Sequence, residues 1–188
     1  MRKNWGKFLV LLLTTAAISS AVLPAPTVAY AAEQTTEASD NEEKDEAEDK
    51  EAVSYKEKAL TITKTGFVAD TFNGVDAIYR KGSNDGSSAT YSCAAFIKKY
   101  YKKVYDVSVY NLFGGSTPKT YEGDKITSVK SPREGDIAYK NGHWSIVKKV
   151  NEDDTVTLIE QNWKWNGSQC KINRTVGTST LNYFRLAK

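Results

Sequence analysis

Four residues in this chain have the types and the order needed to break an amide bond: Cys93, His143, Glu160 and Asn162. With two cysteines and one histidine in 188 residues, the choice of nucleophile and base is narrow. Amide hydrolysis by cysteine needs a thiolate to attack and an imidazole that takes the thiol proton and returns it to the leaving amine. It also needs a third polar group that holds the ring in one tautomer. A helix N-terminus beside an imidazolium lowers a thiol pKa from ~8.5 to ~3.5–7.5. Glu160 and Asn162 are both able to orient the ring, and the backbone N–H of Cys93, unsatisfied in a first helical turn, is a candidate oxyanion donor. Tyr79 is a further candidate for that role.

The elements that must position these groups follow from periodicity. In "SSATYSCAAFIKKYYKKVYDV", Cys93, Phe96, Ile97, Tyr100, Tyr101 and Val104 form one apolar stripe at helical spacing, with Lys98, Lys99, Lys102 and Lys103 opposite. Ser88 or Thr90 is the expected cap, which puts Cys93 in or near the first turn, facing inward. "GDIAYKNGHW" reads as two strands joined at Asn141-Gly142, a strong hairpin signal. Beyond it, His143, Ser145 and Val147 share one face and Trp144, Ile146 and Lys148 the other. "VTLIEQNW" places Val156, Leu158, Glu160 and Asn162 on one side of a strand, and "CKINRTV" and "LNYFRLA" predict two more. A helix followed by an antiparallel meander predicts an α+β fold with the nucleophile helix packed on the sheet. Residues 60–90, rich in Gly, Asn, Asp and Ser, give no clear assignment.

Each of these features also has an ordinary reading. An inward cysteine on a helix is commonly core filler, and "EQN" is commonly a polar strand edge. Cys93 and Cys170 are also able to form a disulfide in an oxidising compartment, which would remove the nucleophile. One histidine and no Cys-x-x-Cys pair argue against a zinc site, and no cofactor is called for.

The N-terminal third carries its own signals. Arg2, Lys3 and Lys7 precede an apolar segment from Phe8 to Leu23, and Ala29-Tyr30-Ala31 supplies small residues for cleavage. Residues 1–31 are therefore expected to be a secretory signal, too diluted by Thr14, Thr15, Ser19 and Ser20 for a retained span. Residues 32–58 are expected to be a disordered acidic linker or pro-segment. From Glu33 to Glu51 there are ten acids and two lysines, with no aromatic residue. The expected catalytic domain is 59–188. From residue 52 onward, 21 basic residues face 13 acidic ones, a net of +8 against +3 for the whole chain. That balance suggests an anionic partner. The lysines do not alternate with aromatics on one platform, which argues against nucleic acid. The sequons at Asn166 and Asn173 matter only in a glycosylating host.

"YSCAAFIKKYY", "PREGDIAYKNGHWSIVKKV" and "VTLIEQNW" together resemble the CHAP family, the cysteine, histidine-dependent amidohydrolases/peptidases. NlpC-type cell-wall peptidases are near relatives whose "DCSGF" is matched more loosely by "SCAAF". The intervals, 50 residues from Cys93 to His143, 17 to Glu160 and two to Asn162, fit the family order over residues 88–188. The resemblance implies a papain-like fold and a secreted or wall-associated hydrolase. Its substrate would be peptidoglycan, cut as an N-acetylmuramoyl-L-alanine amidase or a peptide endopeptidase. It implies Cys93 as nucleophile, His143 as base, Glu160 as orienting group, and Asn162 in positioning or in the oxyanion site. Two departures stand out: Ser92 occupies the place where many members have glutamine, and Trp144 follows the histidine where a smaller aliphatic is common, which would narrow the cleft. Trp163, Trp165 and Tyr110 would help hold a glycan-rich, anionic wall polymer. The alternatives are a non-catalytic wall-binding module and a secreted effector or toxin acting on another amide.

Overall fold

The computed structural model describes residues 54–82 and 85–187, with 164–166 as backbone only. The expected signal and most of the acidic segment lie outside the described residues. The strands before the helix are β1 (Lys58–Thr61), β2 (Phe67–Phe72) and β3 (Val75–Tyr79). Helix α1 spans Cys93–Tyr105, the single α-helix among the described residues. After it come β4 (Val109–Tyr110), β5 (Lys119–Thr120), β6 (Ile126–Val129), β7 (Ile137–Lys140), β8 (His143–Val150) and β9 (Thr155–Ile159). The chain closes with β10 (Lys164–Asn166), β11 (Gln169–Ile172), β12 (Arg174–Gly177) and β13 (Asn182–Leu186).

The central sheet has the order β12-β9-β8-β7-β13-β6, antiparallel throughout. Strands β7, β8, β9 and β12 form the expected meander. Strand β13 departs from it, returning to sit between β7 and β6, a non-local pairing that no local pattern announces. "CKINRTV" also divides. Asn173 takes the left-handed conformation (φ 53°), so β11 joins β1 and β10 in a second sheet while β12 edges the central one. The unassigned stretch 60–90 contains the β2–β3 hairpin, turning at Asn73-Gly74 with both φ positive.

Helix α1 buries its predicted stripe against one face of the sheet. Phe96, Ile97, Tyr100 and Tyr101 meet Ile137, Trp144, Ile146, Ile159 and Phe184 in a single apolar cluster. The opposite face collects Ala138, Val147, Val156, Leu158, Leu181 and Tyr183. The alternation predicted for β8 therefore holds from Trp144 to Val147 and then breaks at a register shift between Val147 and Lys149. Lys148, the extra residue, is buried. Its ammonium is held by both Asp70 oxygens at 2.9 Å and by Asn173 Oδ1 at 2.9 Å. Tyr55 lies under that ammonium at 4.4 Å, Lys56 O accepts from Asn173 Nδ2 at 3.2 Å, and Glu57 pairs with Lys171. The chain is thus already seated on the body at residues 55–57.

Trp144 corrects one expectation. It does not narrow a cleft, because it is 2% exposed and packs between Tyr139 and Phe184 on the helix side of the sheet. Trp144→Ala should therefore cost about 3–5 kcal/mol of stability, as large-to-small core substitutions do. Denaturant unfolding checks this. A near-neutral result would mean the indole is not part of the core.

Candidate active site

The N-terminus of α1 is built by Ser92. Its backbone is extended (φ −70°, ψ 157°) and its Oγ accepts from the N–H of Ala95 at 3.1 Å. A cap of this kind contributes about 1 kcal/mol. Ser88, one of the two residues expected to cap the helix, instead closes the turn before it, accepting from the N–H groups of Thr90 and Tyr91. Cys93 is consequently the first helical residue, buried, with its thiol beside the His143 ring and the N–H groups of Trp144 and Ala94. Burial alone would push this thiol up. The imidazole and the two amides outweigh it, and the thiol lies below its ordinary range.

His143 opens β8 immediately after the Asn141-Gly142 turn, where both φ angles are positive (49° and 84°). Its Nε2 is 3.0 Å from Glu160 Oε2, which leaves Nδ1 for Cys93. Burial favours the neutral ring, but Cys93 and Glu160 together favour the charged one, and its pKa is raised to about 9. Glu160 follows directly on β9, with its carboxylate 1% exposed. Arg174, the first residue of β12, grips it with a two-pronged bond, Nε to Oε1 at 2.7 Å and Nη2 to Oε2 at 2.9 Å. Burial works to raise the Glu160 pKa. Arg174 first and His143 second overcome it, so the carboxyl is held below its usual range. Trp163 completes the group, its ring 4.8 Å from the His143 ring edge-on and 4.1 Å from the Arg174 guanidinium. A cavity of about 210 Å³ opens beside the imidazole, lined also by Lys140, Asn141, Ser145, Trp163 and Arg174.

Three of the four sequence candidates, Cys93, His143 and Glu160, are therefore brought together. Asn162 is not among them. The strand ends at Ile159, Asn162 takes a left-handed conformation (φ 64°), and its Oδ1 accepts from the N–H of Asp85 at 3.3 Å. The shared face expected for Glu160 and Asn162 is lost in that bend. Tyr79 is no oxyanion donor either. Its hydroxyl is buried and donates to the Glu160 carbonyl at 3.0 Å. Cys93 and Cys170 are not joined in a disulfide and belong to separate core clusters, so the disulfide alternative finds no support in the fold. Among the expected wall-facing aromatics, Trp163 belongs to the site and Tyr110 packs at a tilt against the exposed Tyr121, with ring centroids 4.5 Å apart. The Trp165 side chain lies outside what is described.

Two participants escaped sequence reading. Arg174 lies 14 residues after Glu160, and "NRT" attracts attention only as a sequon. Gln161 sits between two candidates that overshadow it. It is 1% exposed, accepts from the N–H of Ile78 at 3.0 Å, and donates to the carbonyls of Thr90 (2.7 Å) and Ser92 (3.1 Å). A buried amide with every hydrogen-bonding group engaged is the signal a sequence pattern cannot carry. Among the described residues, no group of three or more His, Cys, Asp or Glu is placed to hold a metal ion.

Three outcomes follow from these charges. Cys93 should alkylate rapidly at neutral pH, and His143→Gln should move the onset toward the ordinary thiol range near ~8.5; iodoacetamide rates measured from pH 5 to 10 check this. Because the folded pKa of His143 is raised, its charge stabilises the fold fully below its unfolded value of 6.5, and that contribution is lost as pH rises through about 9. Glu160 has the opposite sign. Its contribution is present above the unfolded value of 4.5 and is lost as pH falls through its lowered folded value. Arg174→Met should cost about 3–5 kcal/mol by leaving a buried carboxylate short of its cation. Arg174→Lys should recover only part of that, since an ammonium lacks the fork; urea unfolding of both variants reads the difference.

No family model matches the chain, and no curated protein matches it. Among solved structures it is similar to an N-acetylmuramoyl-L-alanine amidase from Staphylococcus aureus, at 18% identity and a TM-score of 0.39. That similarity covers 58% of this chain and 34% of the amidase chain, so the chain spans about a third of that enzyme's length.

Proposed function

We propose that the chain is an exported cysteine hydrolase that cleaves amide bonds in bacterial peptidoglycan through Cys93, His143 and Glu160. The observation that carries the chemistry is the buried row Cys93–His143–Glu160–Arg174, in which the thiol touches the ring, the ring touches the carboxylate and the guanidinium holds the carboxylate. A row of this kind has little value as mere packing, since buried ionisable groups cost several kcal/mol each to desolvate. The substrate class rests on the resemblance of the three motifs to the CHAP family and on the basic balance of residues 52–188. Export rests on the signal-like N-terminal stretch.

In this reading the thiolate of Cys93 attacks the scissile carbonyl carbon, and the oxygen takes up charge against the N–H of Cys93 at the start of α1. The imidazolium of His143 then gives its proton to the leaving nitrogen, and the C–N bond breaks to leave a thioester on Cys93. Neutral His143 next takes a proton from water, whose hydroxide attacks the thioester; the acid leaves and the thiolate–imidazolium pair returns. Glu160 keeps the ring oriented throughout.

Incubation of the full chain and its Cys93→Ala variant with isolated peptidoglycan under reducing conditions tests the proposal, with soluble products identified by mass. Wild type should release fragments whose masses name the bond, and the variant should release none. Equal release by both would remove Cys93 from the chemistry. No release from several wall types would remove peptidoglycan as substrate.

A further inference from the structure

We infer that Gln161 is a positioning residue, which fixes the turn carrying Cys93 against the strand end carrying Glu160 and so sets the contact between the thiol and the imidazole. The inference rests on the reading of Cys93 and His143 as the reacting pair.

The two groups lie on separate elements, 50 residues apart, and something directional must hold their register. Packing of α1 on the sheet is strong but non-directional, and a hydrophobic interface tolerates small slides. Gln161 supplies direction. Glu160 and Gln161 follow each other at the end of β9 and point to opposite sides. Glu160 reaches the ring and Arg174, while Gln161 reaches the residues leading into α1. One dipeptide thus grips both halves of the reacting pair, and the left-handed turn at Asn162 lets the chain leave immediately afterwards. The carbonyl of Ser92 already accepts the first helical bond, from Phe96 N–H at 3.2 Å, and Gln161 Nε2 adds a second bond to the same oxygen. The same nitrogen holds Thr90, and Oε1 ties the whole to β3 through Ile78. No apolar side chain of this volume makes any of these bonds, and a lost partner here leaves buried backbone groups unsatisfied.

The charged surroundings are simple enough for the test to be read. From β8 the thiol faces His143; behind that ring stand Glu160 and then Arg174; the first turn of α1 carries no acid. Alkylation of Cys93 in the full chain, followed across pH by mass spectrometry of its peptide, reports the thiol–imidazole contact directly. Gln161→Met should slow alkylation at neutral pH by tenfold or more and move its onset upward. Val147→Ala, a core variant on the far face of the sheet, should lower stability without moving the onset.

Gln161→Glu offers a reversible version that does not depend on the methionine variant folding. A carboxyl buried against two carbonyls is protonated well above its usual range. It should therefore keep one donor and alkylate like wild type at low pH, then fall behind as it ionises. The inference is overturned if the Gln161 variants keep the wild-type profile, or if Val147→Ala shifts the onset as much as they do. A wild type that itself reacts as an ordinary thiol would overturn the proposed function instead, so the two failures are distinguishable.

Discussion

A buried carboxylate sets the terms for everything near it. Glu160 has a side chain 1% exposed, and a lone negative charge there would be protonated rather than tolerated. It stays ionised because Arg174 meets both of its oxygens and His143 meets one. When Cys93 ionises, four groups stand in a row with alternating sign, and their formal charges cancel. That cancellation lets a thiol of lowered pKa and an imidazole of raised pKa coexist in a largely dry site. Trp163 shields the row from one side, touching the ring at its edge and the guanidinium at its face.

The fold can be read as the apparatus that brings these charges into line. The hairpin turn at Asn141-Gly142 delivers His143 at the first position of β8. The register that sets Val147 opposite Leu158 brings the end of β9 alongside it. Asn173 switches the chain from one sheet to another, so that Arg174 enters β12 opposite Leu158, two residues before Glu160. The capping hydroxyl of Ser92 fixes where α1 begins, and hence that Cys93 is its first residue. Each of these is a local choice by a residue suited to it: asparagine and glycine at positive φ, serine at a cap.

Parts of this were legible in the sequence because they depend on local pattern. The stripe from Cys93 to Val104, the Asn-Gly hairpin and the apolar run of β9 carry their period within a few residues. What was not legible depends on partners far along the chain. The place of β13 between β7 and β6 is a pairing choice, and nothing in "LNYFRLA" selects its neighbours. Arg174 becomes the partner of Glu160 only once β12 has folded onto β9. Strict alternation puts Asn162 on the face of Glu160 only if the strand runs three residues past its end at Ile159. Asparagine tolerates the left-handed region without requiring it, so the bend left no trace in the pattern. Ser88 and Ser92 are both good caps, and local pattern does not choose between them; Ser92 is also held from 69 residues away by Gln161, which bonds its carbonyl.

The use of a carboxylate rather than an amide behind the imidazole has a consequence for how such a site works. An amide orients the ring without adding charge, whereas Glu160 also stabilises the imidazolium and widens the pH range over which the ion pair survives. Taken alone, this would be a disadvantage, since an imidazolium held too firmly is a poor acid toward a leaving amine. Arg174 shares that carboxylate: its guanidinium bonds both oxygens, one of which also meets the ring, and so keeps Glu160 ionised and fixed in place. The pKa of about 9 at His143 is the balance of burial, which lowers it, against Cys93 and Glu160, which raise it. Arg174 therefore acts on the ring only through Glu160, whose charge it holds in place.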